Sequence, residues 1–210
     1  MKFRLIIGLL AVSFSTVCAQ DFEGKITYKV TYESKMPNVS NEQIGMLMGS
    51  TQDYYIKNNH YKTLSNGQYF QWQLYDASQN RLYSKMTVSD TLYWVDGSFE
   101  EGPLVSFKFL DKKEEVLGIE CDVLEVISES DKTTYYFNSK YSIDAKSFES
   151  HKFGGWSFYV EKTKSLPLKT IVENAEYNVI SIASRIERME LEDAFFILPE
   201  GLPLKRQLGF

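Results

Sequence analysis

Few side chains in this 210-residue chain have the types and spacing that catalysis requires. His60 and His151 are its only histidines, and neither has a Cys or a second His at the spacing of a zinc site. The sequence contains no H-E-x-x-H, no G-x-S-x-G and no glycine-rich phosphate loop. Both histidines have polar neighbours in the chain, which predicts solvated or sheet-edge positions. These observations predict no bound metal and no cofactor.

Acidic neighbours at residues 100–101, 114–115 and 190–193 are the remaining candidates for chemistry. Two carboxyl groups in one cleft serve as acid and base in glycosidases. The chain holds 28 acidic residues, however, and each of these groups flanks a turn or a strand end, where solvated charge is expected. Cys121 lies in a strand-like segment, which predicts a small buried residue rather than a nucleophile. We therefore expect no enzymatic activity.

Aromatic side chains are the abundant feature, at 15% of the residues. A curved sheet lined with aromatics and closed by a helix that bears Met46 and Met48 would hold an acyl chain or an apolar peptide, because methionine adapts to varied apolar partners. The alternative is an ordinary filled core. A shift of one residue in strand register would move a strand's whole set to the other face. The residues that we expect to form a concave binding face are Tyr28, Val30, Tyr32, Phe70, Trp72, Leu74, Trp94, Trp156 and Phe158.

The elements that must position these side chains are predicted mainly as β-strands. Apolar and polar residues alternate strictly over residues 26–32, which is typical of a strand with one buried face. Turn signals at residues 65–67 and 96–97 separate neighbouring runs. The predicted fold class is mainly β: a strongly curved antiparallel sheet or incomplete barrel, plugged by short helices. Further strands are expected over residues 53–57, 69–76, 81–87, 91–95, 113–117, 122–128, 133–138, 156–162, 168–173 and 179–190.

Two segments break the strand pattern. Residues 40–48 predict a short helix, in which Ser40 and Gln43 would form a capping box. Ile44, Leu47 and Met48 would share one face of that helix. A second short helix is expected within residues 143–151, before Gly154-Gly155 restarts the strands.

The first nineteen residues have the pattern of a cleavable signal peptide. Lys2 and Arg4 precede an apolar run of roughly ten residues and an A-x-A-like cleavage site that ends at Ala19. The run is too short for a membrane span, which requires about 20 apolar residues. Lipidation at Cys18 is the competing interpretation, but Val17 before it fits a lipoprotein signal badly. We expect an exported, periplasmic protein, with outer-membrane association or secretion as alternatives.

Composition and charge limit the kinds of binding partner that the sequence predicts. The formal net charge is −5, and loss of Lys2 and Arg4 with the signal peptide would make it −7. No basic patch is present, so nucleic acid is not an expected partner. No run after residue 19 has transmembrane length. The remaining length suits one domain over residues 20–210.

Four short stretches of the sequence form a recognisable series: VLGIECDV (residues 116–123), TTYYF (133–137), KSLPLKT (164–170) and FFILPEG (195–201). Together they resemble those of small exported proteins of unknown function in Gram-negative bacteria. Those proteins are similar to the periplasmic lipoprotein-carrier fold of the LolA, LolB and RseB type. The resemblance implies an incomplete, strongly curved antiparallel barrel whose open side is plugged by short helices and whose concave face binds lipid.

The leading hypothesis is a non-enzymatic envelope protein that binds or carries a lipid or lipoprotein ligand on the concave face. The alternative is a structural or interaction module with a filled core and an envelope protein as its partner. A cavity above about 300 Å³ would favour a ligand, and a packed interior would favour the module.

Overall fold

The computed structural model describes residues 21–100 and 102–207. The predicted signal peptide, residues 1–19, lies outside the described residues, as does Cys18. The described chain forms two α-helices, α1 (Asn41–Met48) and α2 (Trp156–Thr163). Its strands are β1 (Gly24–Ser34), β2 (Thr51–Lys57), β3 (His60–Ser65), β4 (Phe70–Asp76), β5 (Arg81–Met86), β6 (Leu92–Asp96), β7 (Leu104–Val116), β8 (Ile119–Ser128), β9 (Asp131–Ser142), β10 (Ser165–Asn174), β11 (Tyr177–Arg188) and β12 (Leu204–Arg206).

These strands form one sheet, in the order β12-β6-β5-β4-β3-β2-β1-β11-β10-β9-β8-β7. Neighbouring strands run antiparallel, except that β12 pairs in parallel with β6. β12 and β7 are the two edges, so the sheet is open rather than closed into a barrel. The predicted mainly β fold with short helices is confirmed.

The sheet curves strongly around α2. The Trp156 ring lies 6.2 Å from Tyr61 on β3, and the Tyr159 ring lies 4.2 Å from Tyr135 on β9. Strands β3 and β9 are five strand spacings apart, which would be roughly 24 Å in a flat sheet. Trp156 and Tyr159 are less than one helical turn apart, a rise of about 4.5 Å. Both ends of this short helix segment reach their strands because the sheet is concave towards the helix.

The main core fills this concave side. The strict alternation of β1 places Ile26, Tyr28 and Val30 on the buried face, as the sequence predicts. They pack with residues of the neighbouring strands and with Phe148 and Tyr159 from above. The Tyr28 hydroxyl donates to the Pro167 carbonyl of β10 at 2.7 Å, which satisfies its polar group inside the core.

A smaller apolar layer lies on the opposite, convex face. Leu74, Tyr83 and Leu92 are buried there, although they are not part of the main core. Leu74 pairs with Tyr83 across β4 and β5, and side chains of adjacent residues in a strand point to opposite faces. Residues 189–207 return along this side. Phe195 of the 3-10 helix Asp193–Phe196 lies 4.8 Å from the Tyr55 ring.

The strand predicted over residues 156–162 is wrong, because this segment forms α2. Its aromatic and β-branched residues suggest a strand, but Trp156, Tyr159 and Val160 pack at helical spacing. Gly154 and Gly155 precede the helix at φ of 62° and 68°, so they start a helix rather than a strand. Lys164 ends it at φ 50°, with its amide donating to the Val160 carbonyl.

Other strands were missed or shortened by the sequence prediction. β3 has no clean alternation in HYKTLS, and β12 has three residues. β7 exposes both of its faces over most of its length, and the predicted strand over residues 113–117 covers only its end. The prediction missed residues 104–112, although Val105, Phe107 and Phe109 alternate there with Ser106 and Lys108.

The predicted helix over residues 40–48 is confirmed as α1. The Gln43 amide donates to the Ser40 hydroxyl at 3.3 Å, and the Ser40 amide donates to the Gln43 side chain at 2.7 Å. This is the predicted capping box. The second expected helix is a shorter 3-10 helix, Ala145–Phe148. Among the described residues, no helix has the length and apolar character needed to cross a bilayer.

Candidate functional site

Two adjoining cavities on the concave face form a feature that we call the trough. One has a volume of about 190 Å³ and lies beside the end of α1, and the other, of about 170 Å³, lies beside α2. They share Gln52 and Ser181. The first is lined by Val30, Tyr32, Met48, Gly49, Thr51, Gln52, Thr63, Ser65, Phe70, Trp72, Gln73, Val179 and Ser181, and the second by Tyr28, Gln52, Tyr54, Trp156, Pro167, Thr170 and Ser181.

Strand register brings the centre of the trough together. Gln52 on β2 is opposite Tyr28 on β1, and Ser181 on β11 is opposite both Val30 and Thr170. Residues opposite each other in an antiparallel pair project to the same face. Four strands therefore supply one continuous concave surface, and Trp156 covers part of it from α2.

The trough contains the side chains of five of the nine residues expected on the concave face. The remaining four lie elsewhere. Phe158 lines a separate cavity on the β7–β10 side of α2, where its ring lies 5.2 Å from Phe107. The residues whose side chains are found at the trough are Tyr28, Val30, Tyr32, Phe70 and Trp156.

The placement of Trp72, Leu74 and Trp94 on the concave face is wrong. Leu74 pairs with Tyr83, and Tyr83 pairs with Trp94, so the three share the convex face. Trp72 borders the first cavity, but it lies two residues from Leu74 with no register shift between them, and its ring lies 5.2 Å from the Lys62 ammonium on the convex side. A shift in register lies between Phe70 and Trp72 on β4, and it interrupts the alternation on which the sequence prediction depended. Trp94 instead lies under two cations, with Arg81 4.0 Å and Arg206 5.3 Å from its ring centroid.

The trough is uncharged. No Asp, Glu, Lys, Arg or His is among the described residues that line its two cavities. Its tyrosines stay neutral, because burial raises the pKa of Tyr28 and Tyr54 above the usual value of 10. Burial also raises the pKa of Tyr32 to about 12, and its hydroxyl donates to the Gly49 carbonyl at 3.0 Å.

Polar side chains at the centre of the trough are available to a ligand. Gln52, Ser181 and Thr170 make no side-chain hydrogen bond to any residue that the structure describes. The Tyr54 hydroxyl and the Trp156 indole nitrogen lack a partner in the described chain, but both are closed to solvent and are therefore not exposed to a ligand. An uncharged group with an acceptor oxygen would therefore find donors there.

His151 lines neither cavity of the trough. Its predicted solvated or edge position is wrong, since it is 1% exposed. Its Nε2 is 2.7 Å from the Tyr61 hydroxyl, and its ring stacks on Tyr75 at 4.0 Å. Burial lowers the pKa of His151 to about 3, so the imidazole is neutral at physiological pH. The signal that sequence reasoning missed is Phe148 three residues earlier, which anchors the same segment in the core.

A third cavity, of about 360 Å³, opens on the far side of α2 from the trough. Its rim carries Lys152 and Glu100, whose charged atoms are 3.9 Å apart and both well exposed. Asp131 also lies at this cavity. The described residues contain no group of three or more His, Cys, Asp or Glu side chains arranged to hold a metal ion.

Comparison with known proteins identifies no family for this chain. No protein-family model matches the chain, and no curated protein does. Among solved structures, the chain is similar to two structures of PNGF-II. The structure in space group P21 has a TM-score of 0.45 at 12% sequence identity, and the structure in space group C2 has a TM-score of 0.44 at 11% identity. The match covers 87% of this chain but 32% and 31% of those chains, so the chain spans about a third of their length.

Proposed function

We propose that this protein is a non-enzymatic binding or carrier protein of the bacterial envelope, which holds the apolar part of a lipid or lipoprotein in the trough. The observation that carries the proposal is the trough itself: an open concave surface with aromatic and aliphatic walls and no charged lining residue. Small-molecule sites are typically concave and mostly apolar, with a few polar groups.

The driving force would be burial of apolar surface. Transfer of apolar area from water contributes about 25 cal/mol per Å², from which the cost of ordering the ligand is subtracted. Neither cavity alone reaches the roughly 300 Å³ typical of ligand sites. Because they share Gln52 and Ser181, one elongated ligand would occupy both.

Location in the envelope is part of the proposal. It is supported by the signal-peptide pattern of residues 1–19. The lipoprotein-carrier resemblance is compatible with an open, curved antiparallel sheet that has helices on its concave side. The sequence and this geometry support a carrier more than an enzyme, because no carboxylate pair, His or Cys faces the trough among its described lining residues.

Blocking the trough tests the proposal. Ser181→Trp would fill the junction of the two cavities, whereas the matched Ser157→Trp would fill the third cavity. Titration with the neutral apolar fluorophore N-phenyl-1-naphthylamine should give saturable binding to the wild type. We expect Ser181→Trp to weaken it by more than about tenfold and Ser157→Trp to change it by less than about twofold.

The opposite ranking of the two variants would place the ligand in the third cavity. No saturable binding to the wild type, together with no acyl species in native mass spectra of protein purified from its own envelope, would sink the proposal. Circular dichroism melting curves establish that both variants fold.

A protein-interaction module is the second candidate, and the edge strand β7 favours it. Val105, Phe107 and Phe109 are 44–63% exposed along this strand. A long, exposed apolar edge is a template for a partner's strand. Hydrogen exchange would decide: β7 amides that become protected in an envelope extract, but not in a Val105→Pro variant, would support strand addition.

A further inference from the structure

Uncharged polar side chains lie along the trough, and those of Gln52 and Ser181 are at its centre. Gln52 and Ser181 lie where the two cavities meet, and neither side chain hydrogen-bonds to the described part of the protein. Phe70 and Met48 line the first cavity together with polar residues such as Ser65, and Tyr28 and Trp156 line the second. A ligand that follows the trough would place its middle against an amide and a hydroxyl.

These central groups do not provide what an anion requires. A carboxylate buried away from water needs a cationic partner, and no Lys, Arg or His is found among the described residues that line the trough. The surroundings also disfavour negative charge on the protein's own groups, since burial raises the pKa of Tyr28 and Tyr54. An ester or amide carbonyl, in contrast, accepts hydrogen bonds from Gln52 Nε2 and Ser181 Oγ without any charge to desolvate.

We infer that the trough selects an uncharged acyl ester or amide over the free fatty acid, and that Gln52 and Ser181 are the residues that determine this specificity. This inference rests on the proposed function, because it concerns the ligand of the same trough. A glyceride and an acylated protein both contain the expected ligand group, which is an acyl chain joined to an uncharged head that carries oxygen.

A matched pair of probes tests the selection. A monoacylglycerol and a fatty acid of the same chain length differ in head-group charge at pH 8, and each is titrated against the wild type in competition with N-phenyl-1-naphthylamine. We expect the monoacylglycerol to bind at least about tenfold more tightly. Equal binding, or tighter binding of the fatty acid, would overturn the inference and leave the proposed function intact. If neither probe binds, the proposed function fails and the inference falls with it.

Substitutions at Gln52 assign the specificity to this side chain. Gln52→Lys places a cation at the centre of the trough, so the preference should reverse towards the fatty acid. Gln52→Leu removes the hydrogen bonds but keeps the volume, and we expect it to reduce the preference to less than about threefold. The exposed Gln71→Leu is the matched control and should retain the wild-type preference. If Gln52→Lys melts like the wild type and still prefers the monoacylglycerol, Gln52 does not determine the specificity.

Discussion

At the scale of single residues, His151 shows how burial sets a group's chemistry. Its ring is enclosed by Tyr75 and Tyr61, and its Nδ1 has no hydrogen-bond partner among the described residues. Charging the ring in that setting would require desolvating an imidazolium, so burial lowers the pKa of His151 from 6.5 to about 3. This histidine is a neutral part of an aromatic stack rather than an acid or base at the surface.

His151 should therefore make the protein sensitive to acid. Above about pH 6.5, the imidazole is neutral in both the folded and the unfolded chain and contributes no pH dependence. As the pH falls from 6.5 to about 3, the unfolded chain binds a proton that the folded chain does not. The free energy of unfolding should then fall by up to about 1.4 kcal/mol per pH unit from this group.

Urea denaturation at pH 7, 6 and 5 measures this dependence. His151→Phe keeps an aromatic ring against Tyr75 but cannot bind a proton. We expect the variant to be less stable than the wild type at pH 7, because it leaves the Tyr61 hydroxyl without its partner. Its loss of stability between pH 7 and 5 should be smaller than that of the wild type. Parallel slopes for the two proteins would contradict the assignment.

The trough residues were only partly predictable from the sequence. Alternation in β1 correctly places Tyr28 and Val30 on the core face, because that strand keeps its period over its predicted length. The same logic fails for Leu74, since the register shift near Phe70 is a property of strand pairing rather than of local sequence. Gln52 and Ser181 carried no signal, because an uncharged polar residue becomes notable only when its neighbours across the sheet are known.

At the scale of elements, α2 depends on two glycines rather than on its own propensity. The eight residues of α2 include aromatic and β-branched side chains that favour strands. Strand β1 could be predicted because one of its faces is buried. The start of α2 could not be predicted, because the backbone geometry of two glycines determines it. Gly154 and Gly155 both adopt positive φ, which other residues reach only with strain.

Gly155→Ala should destabilise the protein by about 1 kcal/mol or more, because φ is 68° at this position. Nothing within 4 Å would obstruct the added methyl, so the loss would come from the backbone conformation and not from a steric clash. Gly45→Ala in α1 is the control. It has no positive φ, and its methyl would meet only a side-chain carbon of Tyr32, at 3.7 Å. That variant should be neutral or stabilised by up to about 1 kcal/mol. Thermal melting compares them, and a neutral Gly155→Ala would refute the role of the left-handed turn.

At the scale of the whole molecule, the sheet separates two apolar layers. The concave layer contains the main core and the trough, and the convex layer buries Leu74, Tyr83 and Leu92 on the side of residues 189–207. Composition indicated enough apolar residues for a core, but not that they would be divided between two faces. That division follows from the return of the C-terminal segment, whose β12 pairs with β6.

This separation predicts that stability and ligand binding can be changed independently. Leu74→Ala removes buried volume from the convex layer, so it should cost about 2–5 kcal/mol of stability while leaving the affinity of the trough for N-phenyl-1-naphthylamine unchanged. Val30→Ala opens the trough wall and should change that affinity at a smaller cost in stability, because fewer atoms are removed. Affinity is measured at 25 °C without denaturant, after circular dichroism has shown that both variants are folded. If Leu74→Ala altered binding as much as Val30→Ala, the two layers would be coupled through the sheet, and the trough would not be an independent binding surface.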